Sequence, residues 1–198
     1  MKIYTNNNVF DAALDRIRFI FDEFDEVVVS FSGGKDSTVT LNLALKIAEE
    51  KGRLPLKVMF LDQEAEWQNV VDYVRTVMLD PRVEPWWFQV PIKMTNSTSN
   101  EQHYLHCWTE GDEENWMRPK EDFAITENIY GKDRFYEMFP AIMKHHWPDT
   151  PMAVLAGVRA EESPARLAGL TTAATYKDIT WGKKVNKKEN HYNFYPLY

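Results

Sequence analysis

Apolar runs that do not alternate, each separated from the next by a helical pattern, constrain this chain most. "EVVVSF" at 26–31, "LKVMFLD" at 56–62 and "MAVLAGVR" at 152–159 carry apolar side chains at successive positions. Such runs suit strands buried on both faces, as in a parallel sheet. "VEPWWFQVP" at 83–91 is a further candidate, weakened at its start by Pro85. If Trp86 and Trp87 lie in a strand, they point to opposite faces, so at least one belongs to the core.

Helices are predicted between the runs. Phe10, Ala13, Leu14, Ile17, Phe21 and Phe24 recur at three- and four-residue steps over 9–24, with Asn8 as N-cap. A helix from Ser37 to Glu50 is apolar most of the way round and is therefore expected to be largely covered. Over 66–78, Trp67, Val70, Val71, Val74, Val77 and Met78 share one face. Residues 92–130 are polar and irregular and read as an insertion that covers something. A helix resumes near 133–147, kinked or restarted at Pro140. "SPARLAGL" at 163–170 starts another, and the polar residues from Thr171 on end in the aromatic, strand-like "HYNFYPLY".

Strands alternating with helices imply an α/β fold, a doubly wound and mostly parallel sheet with helices on both faces. With no internal repeat or linker, residues 1–198 read as one domain. In such folds ligands bind outside the carboxyl ends of the strands. Those exits read "SFSGGKDS", "LDQEAEW" and "GVRAEESPAR".

The formal charge of -7 offers no basic footprint for duplex nucleic acid. No apolar run approaches the roughly twenty residues of a membrane span. The N-terminal stretch lacks the apolar core of a signal peptide, so a cytoplasmic location is the default expectation. The single cysteine, Cys107, leaves no internal disulfide and no cysteine-ligated iron–sulfur cluster from this chain alone. "HYLHCW" brings His103, His106 and Cys107 close in sequence, but without the paired spacing of a structural zinc site. Nothing nearby in sequence marks the Cys107 thiol as an activated nucleophile.

The exit of the first strand fails the common ATPase phosphate-loop pattern. Val29 stands where that pattern needs its first glycine, and Asp36 where it needs a hydroxyl. The segment nevertheless has the physics of an anion cradle. Gly33 and Gly34 permit backbone angles that turn N–H groups inward, and the following helix aims its positive end at the same point. Ser32 and Ser37 supply hydroxyl donors. Lys35 either supplies charge or lies in solvent. Asp36 either caps the helix or acts through a cation such as Mg2+ that bridges phosphates. The bland alternative is a strand-to-helix turn that needs glycine for tightness alone.

A second anion site is expected where the "MAVLAGVR" strand ends. Ser163 and Pro164 fit an N-cap and first helical position, and Arg159 and Arg166 flank that helix start. The alternative is that both arginines simply pair with Glu161, Glu162 or another acid. Asp62, ending the second strand, is read as a contact for a ribose hydroxyl or metal, or as a helix cap. The run Lys183, Lys184, Lys187, Lys188 reads as a solvated loop, with a polyphosphate lid or partner surface as the alternative.

"SFSGGKDS" resembles the PP-loop of the adenine nucleotide alpha-hydrolase-like superfamily. "VMFLDQEAEW", "WWFQVPI" and the Gly-x-Arg-x-x-x-Ser-x-x-Arg segment "GVRAEESPARL" resemble the phosphoadenosine phosphosulfate (PAPS) reductase branch, in order over about 25–170. "CWTEGDEENWMRP" further resembles the subgroup of the immunoglobulin-binding regulator A proteins. The resemblance implies an adenine nucleotide, ATP or PAPS, engaged beside its α-phosphate. It implies nucleotide binding by Ser32, Gly33, Gly34, Lys35, Asp36, Ser37, Asp62, Gly157, Arg159 and Arg166, with Lys35, Asp36, Arg159 and Arg166 stabilising charge in catalysis. Trp116 and Arg118 would form a lid. A ParB-like protein partner and a homo-oligomer are further expectations, and nucleic acid as a partner stays open. PAPS reductases carry a cysteine in a Glu-Cys-Gly-Leu-His-like segment, which this sequence lacks. Relatives also continue where it stops at "FYPLY", so either the form is shortened or the reductase step is absent.

Overall fold

The computed structural model describes residues 6–171, 174–185 and 189–198. The apolar runs become β1 (Glu26–Ser30), β2 (Leu56–Leu61), β3 (Val83–Phe88) and, after the insertion, β6 (Met152–Ala156). The insertion is more ordered than its composition implies. Its strands β4 (Ile92–Thr95) and β5 (Tyr104–Cys107) pair as an antiparallel ribbon. The polar tail likewise holds β7 (Thr175–Tyr176), β8 (Ile179–Lys184) and β9 (His191–Phe194). The turn between β7 and β8 places Lys177 and Asp178 both at positive φ, a two-residue hairpin geometry for which glycine or asparagine is the usual signal.

Seven strands form one sheet in the order β3-β2-β1-β6-β9-β8-β7. The first five run parallel, and β8 and β7 add antiparallel at one edge. Pro85 is tolerated because β3 lies at the other edge of the sheet. Helices α1 (Val9–Glu23), α2 (Lys35–Glu50) and α3 (Gln68–Met78) cover one face, packing on Val27, Val29, Val58 and Phe60. Helix α4 (Phe135–His146), with Pro140 inside it, covers the other through Met138, Ile142 and Met143 against Val28, Met59, Leu61 and Val154. Each such side chain contributes roughly 1.5–3 kcal/mol when fully buried. Trp87 joins the first core, while Trp86 stacks on Trp147 beside the second. Helix α5 (Pro164–Thr171) follows β6. Among the described residues, no helix is long and apolar enough to cross a membrane.

Two helix starts differ from the sequence reading. Asn8 caps α1 as expected, its side chain accepting the Asp11 N–H at 2.9 Å. Helix α2 begins two residues early, at Lys35, so Asp36 lies inside its first turn and Gly34 is the N-cap. Trp67 is the N-cap of α3, not a core residue of its face, and is 81% exposed. It precedes the first full turn, so helical periodicity does not yet govern where its side chain points.

Candidate active site at the carboxyl end of the sheet

The sheet reverses direction at β1. Its crossovers lead to β2 on one side and β6 on the other, so the exits of β1 and β6 open into the same crevice. The phosphate-loop candidate leaves β1 there, and Gly157 to Arg159 leaves β6 beside it. The two segments touch. A Cβ on Gly157 would lie 2.5 Å from the Ser37 N and 2.6 Å from the Asp36 carbonyl carbon. Glycine at 157 is thus a requirement of close packing between β6 and the first turn of α2, a structural role beyond the ligand contact expected for it.

Within the loop, only Gly33 needs glycine for its backbone. It takes φ +72°, and an added Cβ would meet Val70 of α3 at 2.8 Å. Gly34 is extended (φ -79°, ψ 164°), contrary to the expectation that both glycines take special angles. Ser37 is buried and serves as the internal staple of the loop. Its hydroxyl donates to the Gly34 carbonyl at 2.9 Å and accepts from the Ser32 N–H at 3.3 Å. Ser32, exposed, keeps its hydroxyl 3.0 Å from that of Ser37. The N–H groups of Gly34, Lys35, Asp36 and Ser37 are those a helix leaves without intrahelical acceptors, and they gather at the crevice.

The charges around this cradle are paired among themselves. Asp36 does not cap the helix. Its Oδ2 lies 3.1 Å from Lys35 Nζ and 3.3 Å from Arg159 Nε, bridging the two loops. Partial burial pushes the Asp36 carboxyl upward, but Lys35 and Arg159 together outweigh that and hold it below the usual carboxylate range. Lys35 itself projects into solvent, with its side chain 77% exposed. Ser163 caps α5 as expected, accepting the Arg166 N–H at 3.1 Å. Arg166 is ion-paired to Glu162, the alternative the sequence left open. The same Glu162 carboxylate accepts the Arg159 N–H at 3.3 Å.

The exit of β2 is built differently. Asp62 is fully buried and does not front the crevice. Its oxygens accept from Trp87 Nε1 at 2.8 Å and Gln89 Nε2 at 3.0 Å, and both lie within 2.7 Å of Arg118 Nη2. Arg118, expected in a lid, is therefore locked against Asp62 and also donates to the Glu64 carbonyl. Trp116 is half-buried, edge-on to Trp108, and its Nε1 donates to Thr109. Two residues outside the sequence candidates complete the knot. Glu64, at φ 63°, accepts the N–H groups of Trp108 at 2.5 Å and Met117 at 3.0 Å. Gln89 accepts the Glu121 N–H at 2.6 Å. The visible signal for Gln89 is a polar residue inside an apolar run. The insertion thus closes the carboxyl ends of β2 and β3. At the same exit, burial and then the Asp62 charge push the half-buried Glu66 carboxyl above the usual range, with Arg118 opposing.

Cys107 is buried, and burial followed by Glu64 and Asp62 pushes its thiol up to about 11. A thiol so placed stays protonated at neutral pH and is a poor nucleophile. His106 precedes it in β5, and no group of three His, Cys, Asp or Glu among the described residues is arranged to hold a metal. With Asp36 taken by two cations and Asp62 enclosed, the described residues offer no protein cage for Mg2+. Such an ion would be held chiefly by ligand phosphates and water. Lys183, expected in a solvated loop, is buried in β8, and Lys187 and Lys188 lie outside the described residues.

Comparison with known proteins agrees with this architecture. The fold is similar to that of Candida glabrata FMN adenylyltransferase in complex with FMN and the ATP analog AMPCPP. The TM-score is 0.54 at 14% identity, covering 100% of this chain and 56% of that one. A second structure of that enzyme, with FAD and inorganic pyrophosphate, also scores 0.54. At this identity the likeness concerns the fold. In sequence, the chain is 32% identical over 202 residues to the uncharacterized protein YbdN of Escherichia coli (strain K12), covering 96% of this chain and 49% of that protein. The chain thus spans about half the length of that relative. Over 59 residues it is 48% identical to sulfate adenylyltransferase subunit 2 of Mycobacterium tuberculosis (strain ATCC 25618 / H37Rv), 30% of this chain and 19% of that one. The model of the phosphoadenosine phosphosulfate reductase domain matches residues 26–198, and the chain belongs to that family.

Proposed function

We propose that this protein binds an adenine nucleotide, PAPS or ATP, across the β1 and β6 exits and acts at the linkage beside its α-phosphate. The observation that carries this reading is the contact between the two loops. Gly157 seats the arginine segment directly on the first turn of α2, so one ligand can reach both anion-binding elements at once. The N–H groups of Gly34 to Ser37 would hold the α-phosphate, with Ser32 donating. Arg159 and Arg166 would exchange Asp36 and Glu162 for the outgoing phosphate or sulfate. Fixed donors aimed at the charge that develops on a leaving group are a main source of catalysis. The adenylyl-transfer and sulfonucleotide relatives support chemistry at this linkage. Any Mg2+ would come with the phosphates and help neutralise them.

The state of Cys107 favours cleavage or adenylyl transfer over sulfur reduction by this chain's own thiol. It is the one cysteine in the sequence, it is buried, and its thiol sits near 11. Incubation of the purified protein with ATP, and separately with PAPS, followed by mass spectrometry tests the reading. AMP with pyrophosphate identifies α–β cleavage, and sulfite with adenosine 3′,5′-bisphosphate identifies reduction. Binding without turnover identifies a sensor, the role in which a ParB-like partner fits. Binding that survives Gly34→Asp and Arg166→Ala together refutes the site.

A further inference from the structure

Two of the chain's own carboxylates hold the arginine segment. Arg159 reaches toward the cradle, where its Nε lies 3.3 Å from Asp36 Oδ2. Its backbone N–H donates instead to Glu162 Oε2, at 3.3 Å. The same Oε2 pairs with Arg166 Nη1. One carboxylate oxygen thus accepts from both arginines of the segment. An ionised carboxylate, like a phosphate or sulfate, is an acceptor-only anion that arginine grips well. Glu162 therefore makes the contacts that the segment would offer to an outer oxyanion of a ligand. Arg159 alone spans the distance from this carboxylate to the first turn of α2.

Stability does not account for this arrangement. Partly exposed ion pairs at i,i+4 spacing contribute little to folding, and the side chains of Glu162 and Arg166 are 26% and 48% exposed. Nor does the start of α5 depend on the pair, because Ser163 supplies the cap by accepting the Arg166 N–H. Asp62 and Arg118 are the contrast. With exposures of 0% and 9%, neither can leave the other without stranding a buried charge. Glu162 can let go at little cost, since water reaches its carboxylate once it has moved. Among the carboxylates paired to arginine at the strand exits, it is the one placed to be exchanged.

We propose that Glu162 is a specificity-determining stand-in for the ligand's outer oxyanion. It holds the Arg159 N–H and the Arg166 guanidinium until a phosphate or sulfate beyond the α-phosphate takes them, and it returns as that group departs. A ligand without such a group leaves Glu162 in place. This rests on the nucleotide reading above. Calorimetric titration of wild type, Glu162→Gln and Glu161→Gln with AMP, ATP and adenosine 3′,5′-bisphosphate tests it. Glutamine keeps the length of the side chain and an acceptor for the Arg159 N–H but removes the competing charge, so thermal unfolding should show a midpoint close to that of wild type. The expected result is affinity for ATP or for the bisphosphate raised about threefold to fivefold in Glu162→Gln, the range of an exposed ion pair, with AMP changed less than about twofold. Glu161→Gln removes the same charge from the neighbouring residue and should leave all three ligands within about twofold of wild type. Unchanged or weaker affinity of Glu162→Gln for both ATP and the bisphosphate overturns the proposal. So does an equal gain for AMP, or an equal gain in Glu161→Gln, because either reports the general field and not an exchange. If the wild type binds none of the three, the nucleotide reading fails first and this proposal with it.

Discussion

Replacing Gly157 by alanine tests whether contact between the two loops organises the site. The added methyl would stand 2.5 Å from Ser37 N, 2.6 Å from the Asp36 carbonyl carbon and 2.7 Å from Ser37 Cα. All three are backbone atoms of a helix start, which cannot swing aside as a side-chain tip can. Normal contact needs about 3.5 Å or more between carbon atoms, so β6 and α2 must separate by roughly an ångström. Overpacking of this kind costs about 1–3 kcal/mol. Gly34→Ala is the control, because its methyl would meet only Ser32 Oγ at 3.4 Å and its backbone is already extended. Urea unfolding should place Gly157→Ala about 1–3 kcal/mol below wild type and Gly34→Ala within about 1 kcal/mol, the scale of an N-cap change. Titration with ATP should show the larger loss of affinity for Gly157→Ala. Wild-type stability and affinity in that variant would refute the reasoning.

Other perturbations probe the β2 exit and the buried thiol. Asp62→Ala leaves Arg118 buried without its carboxylate and should destabilise the fold by about 3–5 kcal/mol in urea, whereas Asp62→Ala with Arg118→Met should recover part of that. Cys107 should react slowly with iodoacetamide at pH 8 in the native protein and fast in urea. Its folded value of about 11 lies above the ordinary 9.0. The stability it contributes is therefore complete below pH 9 and falls away as pH rises toward 11, by roughly 3 kcal/mol at 1.36 kcal/mol per unit. Loss of that slope in Cys107→Ala would confirm the source. Trp67→Ala should change stability by no more than about 0.5 kcal/mol, as expected for a side chain in solvent, and a larger loss would restore it to the core.

Much of this was legible because the signals were local. Unbroken apolar runs can hide only in a sheet covered on both faces, so β1, β2 and β6 stood out with their exits. Asn8 and Ser163 announced their helices by the reach of one side chain. Less legible were features that depend on residues distant in sequence. Gly157 looked like a ligand glycine because its neighbour in space, Ser37, lies in the first turn of a helix far from it in sequence. Asp62 and Arg118 each looked available, yet they neutralise one another across the insertion. Lys183 sat in a charged run that reads as solvated, and only pairing with Asn193 draws it inside. The β7–β8 turn used Lys177 and Asp178 where glycine or asparagine would have signalled it.

The order of strands also has a consequence for synthesis on the ribosome. Strands β1, β2 and β3 and their helices emerge together, but β1 has an open side until β6 arrives, and β6 has one until β9 pairs with it. During that interval the apolar "MAVLA" ribbon presents unpaired backbone to any neighbouring chain. The cradle at the β1 exit therefore exists in outline before its arginine half, which reaches its place only when β6 pairs with β1. A ligand that reaches both loops would then favour that pairing, because only β6 seated on β1 offers both at once.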